Sequence, residues 1–271
     1  MVSLDSDGSF CIYNSSPVDL IADVQGFYSD ADANGLRLTT VAPARLIDTR
    51  TATKPATNAI TRVATGAPVG TTAVLVNLTM TRASSPGFIT ADKCSALTAT
   101  PNQTKSNGNY VAGIDIANSS VVNLDPNGDF CIYNSSPVDI VADLQGFYQT
   151  PGIGIDLTPT APLRLIDTRT GVKPPANTLT RVTTNAPAGT TAALINLTMT
   201  RASSPGFITA DKCSALSATP NQTKSNGNYV AGQDIANTSV IPLDLDGSFC
   251  VYNSSPVDVI ADLQGFYQPP T

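Results

Sequence analysis

The chain has 271 residues, 41 % hydrophobic and 13 % charged, with a net charge of −6 and a pI near 4.5. That is apolar enough to bury cores, while the acidic balance excludes nucleic acid and anionic membrane surfaces as expected partners, and no apolar run approaches the ~18 residues of a membrane span. It has no His, no Trp and no Glu (all 21 acids are Asp), which favours strands and turns over helices and removes the commonest general base and metal ligand.

Residues 1–28 read as the C-terminal part of a truncated repeat. Asp7-Gly8-Ser9-Phe10-Cys11-Ile12-Tyr13-Asn14-Ser15-Ser16-Pro17-Val18-Asp19 returns in closely similar form twice further on, and the segment closes on Gly26-Phe27-Tyr28. The first residues carry neither a basic region nor an apolar core of a signal peptide, so a mature product or an excised fragment is expected. Residues 29–40, rich in Asp, Gly and Thr, read as a linker.

Residues 41–149 form the first full repeat. It opens on Arg45-Leu46-Ile47-Asp48-Thr49-Arg50, and a strand follows in which Val74, Val76, Leu78 and Met80 alternate with Asn77, Thr79 and Thr81. Ser85-Pro86-Gly87 and Asn107-Gly108-Asn109 mark turns. A last strand alternates Val138, Ile140, Ala142 and Leu144 with Asp139, Val141, Asp143 and Gln145, and it ends on Gly146-Phe147-Tyr148. Such strands are expected to be half-buried, apolar inward and polar outward.

After a second linker at 150–159, residues 160–271 repeat the pattern. The opening motif returns as Arg164-Leu165-Ile166-Asp167-Thr168-Arg169, an offset of 119 (164 minus 45). Residues 77–97 recur unchanged at 196–216, and 99–113 at 218–232. Short strands with frequent turn signals predict all-β, tandem antiparallel β-sandwich or barrel-like domains with about seven to nine strands per repeat.

The five cysteines follow the repeat. Cys94 and Cys131 lie in the first full copy, Cys213 and Cys250 in the second, and Cys11 is an orphan in the partial copy. Intra-repeat bridges are expected, with an oxidising compartment. The alternative, Cys11 with Cys94 and Cys131 with Cys213, would follow if each unit took its last strands from the preceding repeat.

Candidate chemistry is sparse. Asp5 with Asp7, Asp125 with Asn127, and Asp244 with Asp246 resemble the opening of a calcium loop, but that loop needs a bidentate Glu. A hairpin with Asp-Gly or Asn-Gly supplying positive φ is the favoured reading. Arg45, Asp48 and Arg50 could contact a small anion or sugar, but an ion-pair ladder with Asp139 or Asp143 is preferred. Tyr110 and Tyr229, in identical Asn-Gly-Asn-Tyr segments, are weak candidates for exposed binding aromatics. Nine Asn-x-Ser/Thr sequons occur, at Asn14, Asn77, Asn102, Asn118, Asn134, Asn196, Asn221, Asn237 and Asn253, as many as a chain rich in Thr, Ser and Asn yields by chance. No catalytic residue, metal or cofactor is assigned.

These motifs together resemble a repeat domain common in secreted and surface proteins of actinobacteria and related bacteria. The match is carried by Arg45 to Arg50, Val76-Asn77-Leu78-Thr79, the Gly-Phe-Ile-Thr segment running from Gly87 to Cys94, and the closing strand from Val141 to Tyr148. The resemblance implies a β-rich, disulfide-containing accessory module, found in arrays or beside hydrolase domains, without assigned catalytic residues. The expected role is a non-catalytic, extracellular or cell-surface spacer array, self-associating through the partial repeat or pairing with neighbouring repeats. An adhesin module binding carbohydrate or protein, including a cell-wall or surface glycan, is one alternative; an accessory domain of a secreted hydrolase is another.

Overall fold

The computed structural model describes residues 4–17, 19, 20, 22, 24, 27, 36–101, 103–149 and 154–269, and the architecture is all-β. The first repeat has β1 (Arg37–Asp48), β2 (Ala59–Ala64), β3 (Thr71–Thr81), β4 (Gly87–Asp92), β5 (Gly108–Tyr110), β6 (Ile116–Asn123), β7 (Asp129–Asn134) and β8 (Asp139–Gln149). The second has β9 (Asp156–Asp167), β10 (Thr178–Thr183), β11 (Ala192–Thr200), β12 (Gly206–Asp211), β13 (Gly227–Tyr229), β14 (Ile235–Pro242), β15 (Ser248–Asn253) and β16 (Asp258–Gln268).

Each repeat is a sandwich of two four-stranded antiparallel sheets. In the first they run β1-β8-β3-β6 and β2-β7-β4-β5; in the second, β9-β16-β11-β14 and β10-β15-β12-β13. The alternation in β3 explains the layers. Val74, Val76, Leu78 and Met80 point between the sheets and meet Ile89, Phe130, Ile132 and Ile140 in one buried cluster. The second repeat builds the equivalent core from Ile195, Leu197, Met199, Ile208, Phe249 and Val259.

Strand pairing begins earlier than the linker composition suggests. Residues 37–40, expected in a linker, pair with 146–149 and start β1; residues 156–159 likewise pair with 265–268 and start β9. Pairing with the Gly-Phe-Tyr strand overrides the low strand propensity of a segment chosen on composition. The motif's glycine is needed for this crossing. A Cβ on Gly146 would lie 2.8 Å from the Thr39 carbonyl oxygen, and one on Gly265 2.8 Å from that of Thr158.

The polar-outward expectation fails for β3 and β8. Ala73, Leu75, Asn77 and Thr79 on the outer face of β3 are buried, and every position of β8 is buried. Part of the cover comes from the repeat itself, where Thr49 and Arg45 pair with Asp139 and Asp143 of β8, and part from the second repeat. The outer faces of β1-β8-β3-β6 and β9-β16-β11-β14 pack together through Leu38, Ala73, Leu75 and Tyr148 against Ala192, Leu194, Val240 and Tyr267. The two repeats thus share a third apolar cluster, and each fully buried Leu in it contributes about 1.5–3 kcal/mol. At its edge, Ile155 N–H donates to the Leu38 carbonyl at 2.8 Å, and Arg37 pairs with Asp156 at 2.8 Å.

Candidate functional site at the seam between repeats

The repeated Arg-Leu-Ile-Asp-Thr-Arg motif lies at the end of β1 and folds into a local ion-pair lattice. Asp48 ends the strand and caps a 3-10 turn over Thr49–Thr51, accepting from Arg50 N–H at 3.1 Å. Arg50 then grips the same carboxylate with Nε at 2.8 Å and Nη2 at 2.6 Å, and Arg45 Nη1 adds a bond at 3.0 Å. The side-chain bond from Arg50 leads in holding the Asp48 carboxyl at about 2, below its usual 3.8. Arg45 also forks onto Asp143 of β8, with Nη2 at 3.2 Å from Oδ2. Burial pushes the Asp143 carboxyl upward, against the opposing effect of Arg45. Thr49 donates to Asp139 at 2.9 Å and accepts from Ile140 N–H at 2.8 Å. The motif therefore rivets β1 to β8, the ladder with Asp143 that strand geometry favours. Arg164, Asp167, Arg169 and Asp262 repeat it.

In the first copy the lattice continues across the seam. Arg45 Nη2 donates to the Thr223 carbonyl at 2.9 Å, and Asn77 Nδ2 donates to the Ser225 carbonyl at 2.8 Å. Asn237 joins both repeats: its Nδ2 donates to Asn77 Oδ1 at 2.9 Å, and its Oδ1 accepts from Ser119 N–H at 3.0 Å. Asn77 and Asn237 are buried in this contact, so neither sequon is open to a glycan in the folded chain. The seam is lopsided. Asn118, the equivalent of Asn237, is exposed, and Lys105 is 50 % exposed where its equivalent Lys224 is 16 % exposed.

The lopsided seam opens beyond Asn77 into a cleft of about 770 Å³. Arg45, Arg50, Thr79 and Asp115 line it from the first repeat; Phe207, Gln222, Lys224 and Asn228 line it from the second. Sequence reasoning missed this site because its halves lie far apart in the chain. One signal was present: Ala73 and Leu75 put apolar side chains on the outward face of a strand whose inward face was already filled.

The other sequence candidates fall elsewhere. Cys94 is bonded to Cys131 and Cys213 to Cys250, each 37 residues apart, clamping the short turn before Leu97 or Leu216 onto β7 or β15. Cys11 is exposed and unbonded. Tyr110 and Tyr229 are not surface aromatics. Their rings are buried, and their hydroxyls donate to the Ser136 and Ser255 carbonyls at 2.7 Å, although Tyr229 also borders the cleft. The sheet cores claim these rings because an inward position on β5 or β13 faces the opposite layer.

The hairpin expectation fails for the acidic turns: each links strands of opposite sheets, β6 to β7 or β14 to β15, and their carboxylates are occupied within the turn or by a neighbouring loop. Asp125 takes Ser95 Oγ at 2.6 Å and Cys94 N–H at 2.7 Å, which lowers its pKa, the serine contributing most. Asp244 takes Ser214 Oγ at 2.5 Å. Asn127 and Asp246 bind the turn residues Asp129 and Ser248. The glycines supply the expected positive φ, at Gly128 (φ 84°) and Gly247 (φ 74°), while Asn127 and Asp246 stay outside that region. Asp5 N–H donates to Ser9 O at 2.8 Å and Asp7 accepts from Ser9, so the partial repeat forms the same turn. Among the described residues no group of three or more metal-ligating side chains comes together, and no helix is long and apolar enough to cross a membrane.

The partial repeat otherwise differs from the full ones. Tyr13 is 90 % exposed where Tyr133 is 0 %, and Phe10 and Ile12 are exposed where Phe130 and Ile132 are buried. The pairing expected of its second strand, 18–28, lies largely outside the described residues.

No protein-family model matches the chain, and no curated protein does. Among solved structures, the STIV MCP is similar at 7 % identity and a TM-score of 0.22, covering 87 % of this chain and 97 % of that one. The N-terminal CBM22-1-CBM22-2 tandem domain of Xyn10C from Paenibacillus barcinonensis is similar at 7 % identity and a TM-score of 0.19, covering 89 % and 100 %. Likeness at that level carries no argument here.

Proposed function

We propose that the chain is a non-catalytic, extracellular structural array, a spacer within a stalk, surface layer or fibre. The observation that carries this reading is the seam. Two near-identical sandwiches are joined face to face by an apolar cluster and an Asn77–Asn237 lock, rather than strung on a free linker. A stack of this kind holds its length and direction, which is what a spacer requires. One bridge per full repeat supports an oxidising compartment. The resemblance to repeat domains of actinobacterial surface proteins supports the same placement. Exposed Phe10, Ile12 and Tyr13 in the partial repeat support self-association, because unpaired apolar strands favour pairing with another chain.

Crosslinking intact cells that make the chain, blocking thiols and then fractionating tests the reading. Recovery outside the membrane as crosslinked multimers, with Cys94, Cys131, Cys213 and Cys250 protected from alkylation, is expected. Cytosolic chain with alkylated cysteines overturns the placement, and monomers alone overturn the self-association.

A further inference from the structure

Beyond the spacer role, we propose that the cleft between the repeats binds a neutral carbohydrate chain. Three observations converge there. First, donors and acceptors remain available. Arg50 uses Nε and Nη2 on Asp48, and its Nη1 makes no hydrogen bond among the described residues. Asp115 accepts one backbone bond, from Arg82 N–H at 3.3 Å, and the Asn228 amide makes no hydrogen bond among the described residues. Vicinal sugar hydroxyls both donate and accept, so they suit a wall that presents both kinds of group.

Second, an aromatic ring is held in place. Phe207 is half-buried on the cleft wall, and its ring lies 5.9 Å from Tyr252 at a 42° tilt. A fixed ring edging a polar cleft offers an apolar surface to the C–H face of a sugar at little entropic cost.

Third, the electrostatics disfavour an anion. Arg45 is paired with Asp143 and Asp48, Arg50 with Asp48, and Lys224 with Asp211, so each of these three cations is matched, while Asp115 adds negative charge. An acidic ligand would have to break these pairs. The cleft volume, about 770 Å³, falls within the span of small-molecule clefts, about 300–1,000 Å³.

The duplication supplies matched controls. Phe88 and Asn109 are the counterparts of Phe207 and Asn228. Phe88 has the same packing, with its ring 5.9 Å from Tyr133, but neither residue lines the cleft. The full chain is titrated calorimetrically with neutral tetra- to hexasaccharides of glucose, xylose, mannose and N-acetylglucosamine, and with oligogalacturonates as acidic counterparts. At least one neutral series is expected to bind. Phe207→Ala or Asn228→Ala should weaken it about tenfold, with Phe88→Ala and Asn109→Ala unchanged. Thermal unfolding shifts that are equal within each pair separate loss of fold from loss of site. Absence of binding by every neutral series, tighter binding of the oligogalacturonates, or equal losses in the paired variants overturns the proposal.

Discussion

Asp48 ties three things together with one carboxylate: it ends β1, caps the turn at Thr49–Thr51 and receives two arginines. Because its pKa falls to about 2 on folding, led by the Arg50 hydrogen bond, it stabilises the fold above the unfolded value of 3.8. That contribution is lost as pH drops from 3.8 toward 2. Asp143 acts in the opposite sense. Burial raises its pKa, so the folded state takes up its proton first and gains stability on acidification. Asp48→Asn removes the first effect and keeps the second. Urea midpoints of the variant should therefore fall less steeply than those of the parent between pH 3.8 and about 2. An unchanged slope would count against a native role for the Arg50 pair. Legibility was uneven at this scale. A ladder between the Arg45–Arg50 motif and Asp139 or Asp143 could be read from the sequence, but neither the choice of Asp143 by Arg45 nor the capping role of Asp48 could, because both depend on register and on the chain turning after the strand.

Among the elements, the short turns at Cys94–Ala96 and Cys213–Ala215 are the ones that depend most on a covalent tie. Neither N-cap residue, Lys93 or Lys212, caps its turn; Asp125 and Asp244 bond the turn residues from a later loop, and each turn is tied by its bridge to β7 or β15. Replacing Cys213 and Cys250 by Ser opens a loop of 37 residues, which should cost about 3–4 kcal/mol in the chain-entropy account. Guanidinium unfolding checks this. The second repeat should unfold at lower denaturant than in the parent chain, and a midpoint that stays put would show that sheet packing and the Asp244 bonds hold the turn without the bridge. The strands themselves were legible where period-two alternation was strong, as in β3 and β8. Their starts at Arg37 and Asp156 were not, since polar residues there become strand only by pairing with the Gly-Phe-Tyr segment.

Across the whole molecule, the seam converts two modules into one body. Leu75 and Leu194 occupy equivalent positions in it, and a carboxylate at either would be buried without a partner. Leu75→Asp combined with Leu194→Asp should free the repeats while sparing the two inner cores. Small-angle scattering is expected to show a larger radius of gyration and a flexible profile, against a single rigid particle for the parent. Equal profiles would mean that the polar contacts across the seam, from Arg37–Asp156 to the Asn77–Asn237 lock, suffice to hold the arrangement.

The sequence by itself determined the all-β class, the two full copies and the partial one, and the cysteine spacing. Each of these is written in periods of two or of 119 residues that local chemistry enforces. The tertiary structure alone decided that the outward faces of β3 and β8 are interior, that Asn77 meets Asn237, and that a cleft opens beside them. The stretches that hold them are identical in the two repeats, so nothing local distinguishes Lys105 from Lys224 or Phe88 from Phe207. Their different surroundings arise from the lopsided docking of one sandwich on the other, a long-range packing outcome with no local signature.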